Sequence, residues 1–219
     1  MIESAKKILV VAAHPDDEVL GCGGTIARYA SEGKEVFCLF LGGGKASRFE
    51  AEHTKELQRE RAMIRKEAEN AAKILGVANV WFEDFPDQKY DVVPLAKIIK
   101  TIKIVQDRVR PDIVFTHHPG DINLDHKIAY EAVMNACRTV CSFVIPAATE
   151  WAASFSFAPN VFVDIKESFE KRQKAMAAYQ SELREYPHPR SLRSLEIIAR
   201  YWGTMVGKEF VEAFELINA

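Results

Sequence analysis

Apolar residues in this chain come in short runs that alternate with stretches of helical period. Lys7–Ala13 and Glu35–Leu41 are strand-length and almost continuously apolar, the pattern of strands buried on both faces of a parallel sheet. Between them Gly24–Ser31 has helical spacing, and Gly33 ends it. A long charged segment, about Ala51 to Leu75, keeps one apolar face and closes on Gly76 in C-cap position. Val80–Phe82 reads as a short third strand, followed by the turn-like Phe85-Pro86-Asp87-Gln88. Leu95–Arg110 is helical and ends at Pro111. Asp112–Thr116 is a fourth strand, leading into His117-His118-Pro119-Gly120-Asp121, and Asp125–Cys137 is the next helix. Beyond Cys141 the pattern weakens. Val161–Ile165 suits a late strand, and Phe169–Glu185 and Ser191–Trp202 suit helices split by Tyr186-Pro187-His188-Pro189.

Strands that alternate with helices imply βαβ units: an α/β three-layer sandwich with a mainly parallel central sheet and a partly helical C-terminal extension. With no repeat, low-complexity tract or flexible linker, residues 1–219 are read as one domain. Residues 1–141 form its core, and 142–219 an extension that completes the site. Open parallel sheets bind ligands beyond the carboxyl ends of their strands. The loops after the first, second and fourth strands carry an acidic turn, the run Gly42-Gly43-Gly44 and the double histidine. All three are expected at one edge.

The acidic turn, Ala13-His14-Pro15-Asp16-Asp17-Glu18, places one imidazole and several carboxylates at the end of a buried strand. Like charges that close repel one another, and a divalent cation relieves the cost. His14 and Asp17 lie three apart, a spacing that sets both on one side of a turn. His126 is the best third ligand, with His117 and His118 competing from the same loop. His53 reads as a solvated helix residue. Asp125 reads as orienting a histidine, and Glu18 as either a helix-start charge or a hydrogen-bonding group near the metal.

Composition narrows the field. A net charge of −2 leaves no footprint for nucleic acid or an anionic membrane, and no apolar stretch is long enough to span a bilayer. The first strand begins too early for a signal peptide, so a cytoplasmic location is expected. Cys22, Cys38, Cys137 and Cys141 form no CxxC pair and are expected to be reduced and buried, with Cys137 and Cys141 on or just after one helix. The rival reading for Cys22 is a ligand role beside the acidic turn. Phe210…Ile217 fits either core or a subunit interface, which leaves a homo-oligomer open.

The acidic turn, followed by Leu20-Gly21-Cys22-Gly23-Gly24-Thr25, resembles the signature of the PIG-L/LmbE-like zinc N-deacetylases. Pro111-Asp112 through Thr116-His117, then Asn123-Leu124-Asp125-His126, is similar to that family's second motif. Arg65-Lys66-Glu67-Ala68…Ala71-Ala72…Leu75-Gly76 resembles its intervening helix. The resemblance implies a Rossmann-like fold and hydrolysis of an N-acetyl group from an amino sugar, its glycoside or its nucleotide conjugate. It implies zinc, or iron(II) as an alternative, on His14, Asp17 and His126. Asp16 would be the general base that takes a proton from water held at the metal. Several members carry a histidine three residues before the second ligand histidine, where it helps stabilise the oxyanion; here that position is Asn123. Either Asn123 does a weaker version of that work, or His118 or His188 replaces it, His188 being favoured because its loop looks built to aim a side chain. Arg48 and His118 are candidate substrate contacts. Arg190, Arg193 and Arg200 are read as helix-surface charges, with a phosphate of an activated sugar as the alternative. Rival functions are an amidase acting on another N-acyl conjugate, and a metal- or nucleotide-binding module without catalysis.

Overall fold

The computed structural model describes residues 3–43, 55–146, 148 and 157–218. In chain order the elements are β1 Lys7–Ala12, α1 Asp17–Ser31, β2 Glu35–Gly42, α2 Lys55–Leu75, β3 Asn79–Phe85, α3 Leu95–Val109, β4 Ile113–His117, α4 Leu124–Ala136, β5 Val140–Phe143, β6 Val161–Asp164, α5 Phe169–Ala178, α6 Leu192–Val206 and β7 Val211–Asn218. One sheet runs β3-β2-β1-β4-β5-β7-β6. β3, β2, β1, β4 and β5 pair in parallel, and β7 is antiparallel to both β5 and β6.

The continuous apolar run of β1 follows from its central place in the sheet. Ile8, Val10 and Ala12 face a core shared with α1, α2, α5 and α6, whereas Leu9, Val11 and Ala13 face a second core under α3 and α4. Burying each Val, Leu or Ile there contributes about 1.5–3 kcal/mol, so a polar residue anywhere in this strand would be costly.

Several boundaries differ from the sequence reading. The first helix begins at Asp17 rather than Gly24, but it is broken at Cys22, which has φ −149° and ψ 21°. The periodic pattern starts only after that break. α3 stops at Val109 because Arg110 adopts the left-handed conformation at its C-cap. α5 ends at Ala178, not Glu185: Tyr179 turns inward, and Glu182 and Leu183 donate backbone hydrogen bonds to its carbonyl. α6 continues past Trp202 to Val206 and is closed by left-handed Gly207. β5 and β7 went unforeseen; Cys141 lies on β5, and Phe210 and Phe214 are core residues. The predicted helix segment 51–54 lies outside the described residues.

The break in α1 is closed from the C-terminal part of the chain. In an unbroken helix Gly24 N would donate to Leu20 O. Here Leu20 O accepts from Arg172 Nη2 at 2.6 Å and Val19 O from Arg172 Nε at 3.1 Å. Gly24 N and Thr25 N donate to the two oxygens of Glu212 at 2.8 and 2.7 Å. Arg172 and Glu212 are themselves paired at 3.1 Å, each side chain 3% exposed. The neighbouring glycines permit the close approach: a Cβ on Gly21 would collide with Phe143, and one on Gly24 with Ile165.

Candidate metal centre

The acidic turn sits at the carboxyl edge of β1, pinned on three sides. Ala13 O accepts from Gly42 N at 2.9 Å and from Tyr90 Oη at 2.8 Å, while Ala13 N donates to His117 Nε2 at 2.9 Å. The chain then reverses through Asp16, whose φ of 100° is left-handed. A non-glycine residue held there stores about 1–3 kcal/mol, and aspartate tolerates it better than most. Glu18 Oε2 accepts the Asp16 amide at 3.1 Å, and Tyr179 Oη donates to Glu18 Oε1 at 2.6 Å.

His14, Asp17 and His126 come together as anticipated, all buried. His14 Nδ1 lies 3.6 Å and His126 Nε2 3.5 Å from Asp17 Oδ2. Ligand atoms on a tetrahedral ion with bonds of about 2.0–2.2 Å stand about 3.3–3.6 Å apart. The opposite ring nitrogens are held by carboxylates: His14 Nε2 by Asp125 at 2.9 Å and Asp87 at 3.1 Å, His126 Nδ1 by Asp121 at 2.9 Å. With an ion bound, each carboxylate would hold an N–H on its own side and leave the other ring nitrogen's lone pair for the metal, the arrangement of metal-binding histidines. Asp17 Oδ1 is buried and has no hydrogen-bond partner. This donor set fits a divalent cation.

The electrostatics agree. Asp16, Asp17, Glu18, Asp87, Asp121 and Asp125 are all buried. Burial would raise the Asp17 carboxyl, but the surrounding imidazoles of His126, His117 and His14 outweigh it and hold it well below the usual range. Burial would likewise lower His14, yet its hydrogen bonds to Asp125, Asp17 and Asp87 keep it well above an ordinary histidine. Asp16 is pushed well up by burial, against the pull of Arg190, and Glu18 is pushed by burial to about 7. A cavity this rich in carboxylate favours added positive charge.

The remaining candidates are fixed by their own partners. Asn123 is the N-cap of α4, its Oδ1 accepting from Asp125 N at 2.9 Å. His118 has both ring nitrogens engaged, Nε2 with Glu215 at 3.1 Å and Nδ1 accepting from Gly120 N at 3.0 Å, so it offers substrate no free nitrogen. His117 uses Nε2 to accept from Ala13 and stacks on His126 at 4.0 Å, and burial pushes its pKa well below the usual range. With Asp121 and His126 it forms a second candidate donor group. His188 is exposed, its Nδ1 accepting from Arg190 N at 3.1 Å. Its loop aims Arg190 instead: Nε lies 3.5 Å from Asp16 Oδ2, and Nη1 2.9 Å from Glu182. Cys22 is buried in the apolar core and belongs to none of the candidate metal groups among the described residues. Arg48 and His53 lie outside the described residues.

Sequence reasoning missed Asp121, Asp87 and the place of Arg190. Asp121 had a signal, an acid five residues before His126 in a loop that already carried the motif; Asp87 had only its turn after the third strand.

The acidic turn and its candidate donor groups lie at the carboxyl edge of a mainly parallel sheet. The chain belongs to the PIG-L family. That family's model, described as GlcNAc-PI de-N-acetylase, matches residues 9–137. The Escherichia coli K12 protein named uncharacterized deacetylase YaiS is 30% identical over 177 residues, 77% of this chain and 89% of that protein. The diacetylchitobiose deacetylase of Thermococcus kodakarensis is 28% identical across 97% of this chain and 83% of its own length. The solved N,N'-diacetylchitobiose deacetylase of Pyrococcus horikoshii superposes with a TM-score of 0.78 at 24% identity, covering 99% of this chain and 85% of that one, a likeness of fold. The PIG-L chain described here is therefore a deacetylase, an amide hydrolase, on a metal-competent α/β scaffold. Among its described residues no helix is long and apolar enough to cross a membrane.

Proposed function

We propose that this PIG-L protein is a zinc-dependent N-deacetylase of an N-acetylated amino sugar, free, glycosidic or nucleotide-linked. The observation that carries the reading is the pairing of a complete donor set with a base that is not part of it. His14, Asp17 and His126 face one point, and the adjoining Asp16 keeps a buried Oδ2 without a hydrogen-bond partner. A purely structural zinc site has a closed shell and needs no such neighbour. Bound by those three residues, the ion would supply Lewis acidity to water and to the amide carbonyl. The substrate class is supported by the relative that acts on diacetylchitobiose.

The chain's own residues supply the rest. Asp16, held in its strained turn by Glu18, accepts a proton from the attacking water and returns it to the departing amine, so that the amide C–N bond breaks to acetate and a free amino group. Arg190 stands beside Asp16 and contributes the positive charge that Asn123 lacks. Its contact with Glu182 limits how far it swings. Asp125 and Asp121 keep both imidazoles in the tautomer that a metal requires.

The test is acetate release from N-acetylglucosamine, diacetylchitobiose and sugar nucleotides, comparing wild type with Asp16→Ala at equal measured zinc content. Release by wild type, reduced at least about a hundredfold in the variant, is the expected result. Release undiminished in Asp16→Ala would refute the assignment of the base. Zinc bound by wild type but no release from any of these sugars would refute the substrate class and redirect the search to other N-acyl conjugates.

A further inference from the structure

We infer that the buried Arg172–Glu212 pair is a positioning device for Asp17, setting metal affinity from the far end of the chain; this rests on the metal reading above. The family model stops at residue 137, whereas Arg172 lies on α5 and Glu212 on β7. Both reach back to α1.

Breaking α1 at Cys22 leaves Asp17 on little more than a single helical turn. One isolated turn has almost no stability of its own, so its orientation is set by whatever holds its ends. Arg172 takes the carbonyls of Val19 and Leu20, which the second half of the helix would otherwise have satisfied. Glu212 takes the amides of Gly24 and Thr25 on the other side of the break. The ion pair therefore occupies both halves of the missing Leu20–Gly24 hydrogen bond and fixes the angle between the two pieces. A Cβ on Gly23 would come within 3.2 Å of Arg172 Cγ, which shows how closely the arginine stem lies along the break. Tyr179, next after α5, holds the same turn through Glu18.

Asp17 has a short side chain, so its carboxylate moves almost rigidly with its Cα. A coordination site tolerates misplacement of only about 0.5 Å. Apolar side chains at the break would leave four buried backbone groups unsatisfied; a forked guanidinium and a carboxylate meet all four in one geometry and so specify an angle. The extension then completes the site by fixing the orientation of a ligand it does not supply.

Cobalt(II) bound to the otherwise metal-free protein is the probe. Arg172→Lys keeps the charge but cannot fork to two carbonyls, and Glu212→Gln turns an amide N–H2 toward one of the two backbone donors. Met176→Ala, a buried α5 residue that makes none of the hydrogen bonds across the break, is the control for lost stability. Dissociation constants, visible d–d spectra and the Tm of the metal-free forms are measured for all. The expected result is cobalt affinity weakened at least about tenfold, with an altered spectrum, in Arg172→Lys and Glu212→Gln, and neither change in Met176→Ala despite its lower Tm. Wild-type affinity and spectrum in the two pair variants would overturn the inference, as would an equal loss in Met176→Ala. Failure of wild type itself to bind cobalt would instead overturn the metal reading on which the inference stands.

Discussion

Replacing Asp121 with Asn removes one charge and one acceptor, and its effect can be worked from two hydrogen bonds. Asp121 Oδ1 accepts from Asn123 N at 2.8 Å and Oδ2 faces His126 Nδ1 at 2.9 Å, with both side chains buried. Asparagine has a single acceptor oxygen. Directed at Asn123 N, it leaves its N–H2 against His126 Nδ1, which must then become the acceptor, so the ring proton moves to Nε2 and masks the lone pair aimed at Asp17. To bind metal the amide must flip, placing N–H2 against the Asn123 amide; a buried donor left unsatisfied costs about 1–3 kcal/mol. Metal affinity should therefore fall about 10–100-fold, or about 1.4–2.8 kcal/mol. The metal-free protein, free to take the first orientation, should lose less than about 1 kcal/mol. Zinc competition against a chromophoric chelator reads the first quantity and urea unfolding of the metal-free form the second. Zinc affinity within twofold of wild type would refute the reasoning, and an equal loss of stability without metal would show that Asp121 serves the fold instead.

Two further outcomes are expected. Arg190→Ala should lower kcat/KM at least about tenfold at unchanged zinc content, with Arg190→Lys in between, because the guanidinium acts at Asp16 in the reaction; its side chain is a third exposed, so stability should change by no more than about 1 kcal/mol. Equal kcat/KM in all three proteins, measured by acetate release, would remove Arg190 from the site. The second concerns pH. Glu18 is raised in the folded metal-free chain from 4.5 to about 7, so the stability it contributes is complete below pH 4.5 and is lost as pH rises through 7. That amounts to about 3 kcal/mol. Urea titrations of metal-free wild type and Glu18→Gln should diverge across that window, and parallel profiles would contradict the assignment.

The legible part of this protein is the part carried by local pattern. β1, β2 and β4 announced themselves by unbroken apolar runs, and the residues that follow a buried parallel strand must lie at its carboxyl edge. That rule brought His14, Asp17 and the histidines after β4 to one edge, and the family resemblance chose His126 among them. β5 and β7 were not legible because β5 is short and β7 carries Glu212 and Glu215 within an otherwise apolar strand. Glu212 is tolerated only because α1 supplies two backbone donors and α5 an arginine, partners that sequence spacing cannot reveal. The same holds for Arg190, whose meaning depends on a loop that folds back across the sheet to Asp16. His188, two residues earlier in that loop, drew attention for its chemistry, but its side chain turned to solvent. Asn123 was weighed against an expected histidine, when its position directly before an apolar helix already suited an N-cap.

The order of strands along the chain is not their order in the sheet, and this bears on how the molecule is made. β7 is the last strand described, yet it lies between β5 and β6. During synthesis β6 leaves the ribosome with no partner to pair with, and waits while the stretch from Asp164 to Val211 is translated. At about 5–20 residues per second that interval lasts several seconds. Over this period β5 and β6 present unpaired edges, and the break in α1 has Arg172 but not Glu212. The nascent chain is thus most in need of chaperone protection just before β7 arrives, and insertion of that strand joins the sheet and closes the break beneath Asp17 in one step.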